Sequence, residues 1–246
     1  MLTFYHSPMS RSSAIATLIR ELGAEAAVET RLVSIPRVDG SGGRDPANIH
    51  PEGKVPALVH DGRVITERGA IMMHLCALFP EAGMAPAPGT PDWGVFATWM
   101  TWYQGVLEPV LILRAAGVTH DWIDKTFRGP EEAAARIRAA LEKGPWLLGA
   151  DYSAADLLVH SPYAWFGNMT PADPLIEDWI ARCTARPARR AARQHRRLGE
   201  HRRRRRAHLA HRDRRRALHC RSDPPDRSLL PLPGAPPARC RRRARC

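Results

Sequence analysis

Three short stretches hold residues able to do chemistry. HSPMSRSS (6–13) follows the apolar run LTFY and precedes an apolar-periodic segment, so it reads as the loop of a strand–loop–helix. A loop residue beside a helix start faces unpaired N–H groups and the positive end of the helix dipole, where an anion is stabilised. Ser10 is the hydroxyl best placed there to donate a hydrogen bond to a bound thiolate. A free thiol has a pKa of about 8.5, and lowering it by about two units takes roughly 2.7 kcal/mol of selective anion stabilisation. One charge-assisted hydrogen bond and a helix terminus supply most of that. Read alone, the plainer account is that Ser10 or Ser12 caps the helix. No His/Asp pair is placed by spacing to make a serine nucleophile, so hydrolase chemistry gains nothing.

The second stretch is GKVPAL (53–58). A proline at the start of a strand removes a ladder donor and is tolerated where its peptide bond is cis and the freed Val55 backbone faces a ligand. The third, TERGAI (66–71), puts Glu67 at the start of a helix, where a carboxylate is also favoured simply by the dipole.

The elements that must position these residues follow from periodicity. In SSAIATLIRELG, Ala14, Ile15, Leu18, Ile19 and Leu22 form one apolar stripe that ends at Gly23. VETRLVSI (28–35) reads as a second strand, parallel to LTFY, and residues 36–53 as a long surface loop. VPALVHDGRVIT (55–66) reads as a hairpin about Asp61-Gly62, followed by a helix with Ile71, Met72, Leu75, Leu78 and Phe79 on one face. The order βαβ then ββα predicts a small mixed sheet with helices on both faces.

PEAGMAPAPGTPD (80–92), rich in Pro and Gly, reads as a linker. Beyond it the pattern is helical. WGVFATWMTWYQGVLEPVLIL is long and apolar, and PEEAAARIRAALEKG is amphipathic, with Pro130 at N1 and Gly144 at C′. Ser153 and Asp156 have capping-box spacing, with Tyr152 and Leu157 as a hydrophobic staple, and PLIEDWIARCTA is a further amphipathic helix. The expected division is 1–80, an α/β domain; 81–91, a linker; 92–187, an all-α domain of at least four helices; and 188–246, a tail.

HSPMSRSS, GKVPAL, TERGAI, the Pro-rich linker and LLGADYSAADLLV, in this order, resemble the cytosolic glutathione S-transferase family, serine-type bacterial members included. The resemblance covers residues 1 to about 187. It implies a thioredoxin-like N-terminal domain followed by a helical C-terminal domain, usually in a homodimer. It implies glutathione as co-substrate, no metal, and a small hydrophobic electrophile as second substrate in detoxification chemistry by conjugation or reduction. Ser10 matches the residue that activates the glutathione sulfur. Lys54 matches a position that meets the glycyl carboxylate, Val55 the residue whose backbone pairs with the cysteinyl part, Pro56 the cis-proline, and Glu67 the acid that meets the γ-glutamyl amine. Arg68 departs from the pattern, since a small hydroxyl usually stands there to cap the helix and hold the γ-glutamyl carboxylate. The longer guanidinium either pairs with that carboxylate or weakens the site. Met9, Trp99, Trp102, Tyr103, Leu107 and Trp165 are the candidates for a hydrophobic pocket between the domains, each also a natural core residue.

Charge divides the chain at the same boundary. Residues 188–246 hold 21 Arg, no Lys and four acids, a net of +17, against −5 for residues 1–187, which together make the +12 of the whole. The tail has no aromatic residue, Val, Ile or Met, so it lacks the apolar surface to offset the entropy of ordering and is expected to be disordered. Twenty-one arginines would bind nucleic acid through counterion release, but without aromatic stacking or helical period specific recognition is not expected. His208, His211 and Cys220 lack a further paired ligand at metal spacing. Arginine without lysine, mixed with Ala, Pro, His, Cys, Gly and Leu, is what GC-rich DNA yields out of frame, so a frameshift near codon 188 is expected. No leader or apolar run of membrane length is visible, and a reduced cytoplasm is the expected compartment. The competing expectation is a non-catalytic binding or dimerisation protein built on the same fold with a weakened glutathione site.

Overall fold

The structure, a computed structural model, describes residues 1–163 and 167–188. The basic tail from residue 189 on, and with it the expected frameshift, and Trp165 therefore lie outside the described residues. The sheet has four strands, β1 (Leu2–His6), β2 (Val28–Leu32), β3 (Ala57–His60) and β4 (Arg63–Thr66), in the order β2-β1-β3-β4. Strand β1 runs parallel to β2, with Leu2 opposite Val28, and antiparallel to β3, with Phe4 opposite Leu58. The β3–β4 turn has Asp61 and Gly62 both at positive φ (46° and 80°), as a two-residue Asp-Gly hairpin requires.

Helix α1 (Ser13–Glu21) joins β1 to β2, and α2 (Arg68–Leu78) follows β4. Both lie on one face of the sheet. Leu2, Phe4 and Leu58 share a continuous core with Ile15 and Leu18 of α1 and with Ile71, Met72 and Leu75 of α2. The other face carries Tyr5, Ala57 and Val59 and is covered by Val33, Ile35 and Val55 from the connecting loops. The expectation of helices on both faces is thus corrected. The segment 36–53 is too rich in Gly, Pro and Asp to continue as a helix, and it closes the second face as a loop. Leu78 is also removed from the apolar face, being more than a third exposed at the end of α2.

The helical layer comprises α3 (Pro91–Trp102), a π-helical turn (Tyr103–Leu107), α4 (Glu108–Ala115), α5 (Asp121–Phe127), α6 (Pro130–Leu141), α7 (Ala154–Val159) and α8 (Pro174–Ala185). The π turn has a cause in the sequence. Pro109 has no N–H, and its ring would meet the Gly105 carbonyl four residues back in regular α geometry; widening the turn relieves both conflicts. Helix α5 was not legible in the periodicity. Its N-cap is His120, whose ring Nδ1 accepts from the Trp122 amide at 3.2 Å. Helix α6 starts at Pro130 as expected but is capped at Glu142, so Gly144 does not occupy C′. At α7 the Ser153–Asp156 box is formed, and the Asp156 carboxylate also accepts from Leu147 N and Trp179 Nε1, both at 2.9 Å. The core runs on from the sheet into this layer through Phe96, Met100, Tyr103, Leu157 and Trp179. Among the described residues, no helix is long and apolar enough to cross a membrane.

Candidate functional site

A pocket of about 290 Å³ opens where the β2–β3 connection, the start of α2 and the π turn meet. Its wall contains Lys54, Val55, Pro56, Glu67 and Arg68, five of the residues singled out in the sequence. Arg11, His50, Gln104 and Glu108 complete it.

The Val55–Pro56 bond is cis. Strand pairing begins only at Ala57, so the Val55 backbone lies before the ladder. Asn48 Nδ2 donates to the Lys54 carbonyl at 3.0 Å and so fixes the approach to this bend, while the Lys54 ammonium is paired with exposed Glu52. His50 is buried, its Nδ1 accepting from the Glu52 amide at 3.1 Å.

The start of α2 is built unusually. Glu67, the N-cap residue, sits at φ 67°, ψ 125°, a conformation that costs a non-glycine residue about 1–3 kcal/mol. Its own side chain makes no cap bond. Gln104, from the π turn, supplies one from the other layer: its Oε1 accepts the Gly69 N–H, and its Nε2 donates to Glu67 Oε2 at 2.9 Å. A Cβ on Gly69 would stand 2.5 Å from Gln104 Oε1, so only glycine permits this close approach.

Arg68 occupies N1, where a cation opposes the helix dipole. It is buried and ion-paired with Glu108, and its guanidinium lies 4.8 Å from the centroid of the Tyr103 ring. Arg11 Nε donates to the other oxygen of Glu108 at 2.5 Å, so one carboxylate is held between two guanidiniums. Arg68 is therefore committed to a protein carboxylate. The pocket as a whole presents Arg11, Lys54 and Arg68 against Glu67 and Glu108, a mixed field suited to a small ligand carrying both carboxylates and an ammonium.

Ser10 does not line this pocket. It lies in the turn before α1, partly buried, with its hydroxyl donating to Ser7 O at 2.7 Å and its Oγ 2.7 Å from Ser12 Oγ. Ser12 is the N-cap residue of α1 and has no exposed surface; its Oγ lies 2.6 Å from His6 Nδ1. Burial, aided by Arg20, pushes the His6 imidazole down to about 4, so it is neutral at physiological pH. Arg37 holds the loop from outside, donating to Ser7 Oγ (3.0 Å), Pro8 O (2.7 Å) and Met9 O (3.1 Å). Met9 stands at φ 60°, a second strained non-glycine residue beside the site.

The apolar candidates fall elsewhere. Trp99, Trp102, Tyr103 and Leu107 are buried in the continuous core, on the inward face of α3 and the π turn, and do not line this charged pocket. Tyr103 comes nearest, under Arg68; desolvation raises its phenol above the ordinary value, so it stays protonated. Cys76 is buried, its thiol pushed up to about 12, which leaves it inert as a nucleophile.

Sequence reasoning missed Gln104, Glu108, Arg11, His50 and Arg37. Only Glu108-Pro109 carried a signal, a helix-disturbing proline next to an acid; the others are ordinary polar residues until folding brings them together.

Residues 2–83 match the family model described as glutathione S-transferase, N-terminal domain. The chain is 28% identical over 188 residues to protein LigF of a Sphingobium strain, an alignment covering 57% of this chain and 73% of that one. It is 25% identical over 224 residues to the disulfide-bond oxidoreductase YfcG of Escherichia coli, covering 82% and 99%. A sphingomonad glutathione S-transferase solved in complex with glutathione superposes with a TM-score of 0.61 at 25% identity, over 77% of this chain and 96% of that one.

Proposed function

We propose, from the premise that residues 2–83 form a glutathione S-transferase N-terminal domain, that this protein binds glutathione and uses its thiolate against small electrophiles. The observation that carries the reading is the convergence of Lys54, the Val55 backbone, cis-Pro56 and Glu67 on one pocket of mixed charge. Glutathione has two carboxylates, one ammonium and a central peptide unit. Lys54 meets the glycyl carboxylate, Val55 pairs with the cysteinyl backbone, and Glu67 takes the γ-glutamyl ammonium. Ser10 keeps its proton and donates a hydrogen bond to the sulfur, whose own proton passes to solvent, leaving the thiolate. In conjugation with an aryl chloride, the sulfur forms a bond to the ring carbon and chloride leaves. Reduction of a disulfide by the same thiolate is the sister reaction, in keeping with the name of the Escherichia coli relative. The electrophile enters beside Met9; a homodimer and a cytoplasmic setting complete the proposal.

Retention on immobilised glutathione, followed by a conjugation assay with an activated aryl chloride, tests it. A folded protein that does not bind glutathione ends the reading. Ser10→Ala is expected to keep binding and to lose most of the turnover.

A second reading, a non-catalytic binding or dimerisation protein, is favoured by the commitment of Arg68 to Glu108 and of the Ser10 hydroxyl to Ser7. Under it, Arg68→Ser raises glutathione affinity from almost nothing; an ordinary affinity that the substitution leaves unchanged removes it.

A further inference from the structure

We propose that His6 and Ser12 are positioning residues for Ser10, forming a hydrogen-bonded chain that turns the Ser10 hydroxyl toward a bound thiolate. The proposal rests on the reading of the site as a glutathione site, and it assigns roles to two residues behind Ser10, of which Ser12 is wholly buried.

The argument is a count of protons and lone pairs. His6 Nδ1, Ser12 Oγ and Ser10 Oγ are linked in series at 2.6 and 2.7 Å. Each hydroxyl has one proton to give. In the structure Ser10 directs its proton at the Ser7 carbonyl. A thiolate, being charged, is the stronger acceptor and competes for that same proton. The Ser12 amide already donates to Ser10 Oγ at 3.2 Å; once Ser10 donates outward, its remaining lone pair is open to the Ser12 hydroxyl, which turns to it from the Ser7 carbonyl, its acceptor at 3.2 Å. Ser12, donating to Ser10, then accepts from the Ser7 amide at 3.2 Å and from His6 Nδ1–H. Every donor in the series Nδ1–H, Ser12 O–H, Ser10 O–H points toward the sulfur, and each bond polarises the next.

The surroundings of His6 suit the part. Its ring stacks on Phe4, with centroids 5.4 Å apart and planes inclined at 23°, which fixes its orientation. Burial, and after it the charge of Arg20, keeps it neutral, so one ring nitrogen carries a proton and the other does not. The chain needs that proton on Nδ1. A lone Ser10 beside a helix terminus would lack this support. The stretch HSPMSRSS therefore holds a hydroxyl donor together with the two groups that aim it.

The test uses the full chain and glutathione, with the bound thiol titrated by thiolate absorbance and S-methylglutathione, which has no thiol, as binding control. Ser12→Ala and His6→Phe are expected to raise the bound thiol's pKa by about one unit and to lower kcat/KM about tenfold at fixed pH, with S-methylglutathione affinity within about twofold of wild type. His6→Asn, whose amide N–H stands near the place of Nδ1–H, is expected to restore most of the shift. An unchanged thiol pKa in folded Ser12→Ala or His6→Phe overturns the proposal, as does a parallel loss of S-methylglutathione binding, which marks a merely structural role. Failure of the wild type to bind S-methylglutathione overturns the glutathione reading itself, and this proposal with it.

Discussion

Helix α7 begins with both capping groups in its own sequence, Ser153 and Asp156, whereas α2 begins at a strained Glu67 with no cap bond of its own and takes Gln104 from 35 residues further along. The first arrangement is local and wholly buried. The second crosses from one layer to the other and lines the pocket. A self-capped helix end has no polar group to spare for a ligand, while an end capped from elsewhere keeps its own residues, Glu67 and Arg68, facing the cavity. The start of α1 lies between these cases, with its Ser12 tied back to His6 on the preceding strand.

Substitutions separate the two designs. The largest effect is expected at Asp156→Ala, which strips buried partners from Leu147 N, Trp179 Nε1 and Ser153 N and should cost about 4 kcal/mol in urea unfolding. A loss under about 1 kcal/mol would show that α7 does not depend on its box. The protein that remains folded should bind glutathione with unchanged affinity, because the box does not reach the pocket.

Acid titration probes the start of α1. The His6 imidazole is held at about 4 in the folded protein against 6.5 when free, so the unfolded chain binds one more proton between these values. Its contribution is complete above pH 6.5, is lost as pH falls from 6.5 to 4, and is constant below. The loss amounts to at most about 3 kcal/mol. Unfolding free energies measured across that window should lose this slope in His6→Asn; an identical slope in the variant would remove His6 as its source.

Gln104→Ala addresses the cross-layer cap directly. About 1–2 kcal/mol of stability should go, together with about tenfold in glutathione affinity, as calorimetry would read. Loss of stability without loss of affinity would make the cap structural only. The smallest change in stability, under about 1 kcal/mol, is expected for Gly69→Ala. The better helix propensity of alanine offsets the displacement of Gln104, yet affinity should still fall several-fold. Opposite signs of effect on stability and binding at this one position would sharpen the contrast with α7 most clearly.

Much of this was legible in advance. The strands, α1, α2, α6 and α8, the Asp61-Gly62 turn and the α7 box follow from rules that span only a few residues, and so did the order of a mixed α/β sheet followed by helices; the thioredoxin-like class came from the family resemblance. Helix α5 escaped because it is short and has no buried apolar residue to give it a stripe. The aromatic residues Trp99 and Trp102 announced burial but not which side would be buried, and they belong to the core.

For the site, the sequence by itself determined which residues are chemically able: Ser10 before a helix, a proline at a strand start, an acid at a helix start. These are set by backbone hydrogen bonding and periodicity, which act between near neighbours. Tertiary structure alone decided that Gln104 caps α2, that Glu108 binds both Arg11 and Arg68, and that α1 and α2 share one face of the sheet. Such pairings join residues far apart in the chain. They exist only because packing of one layer on the other brings a π turn, widened for Pro109, against the start of a helix that has no cap of its own.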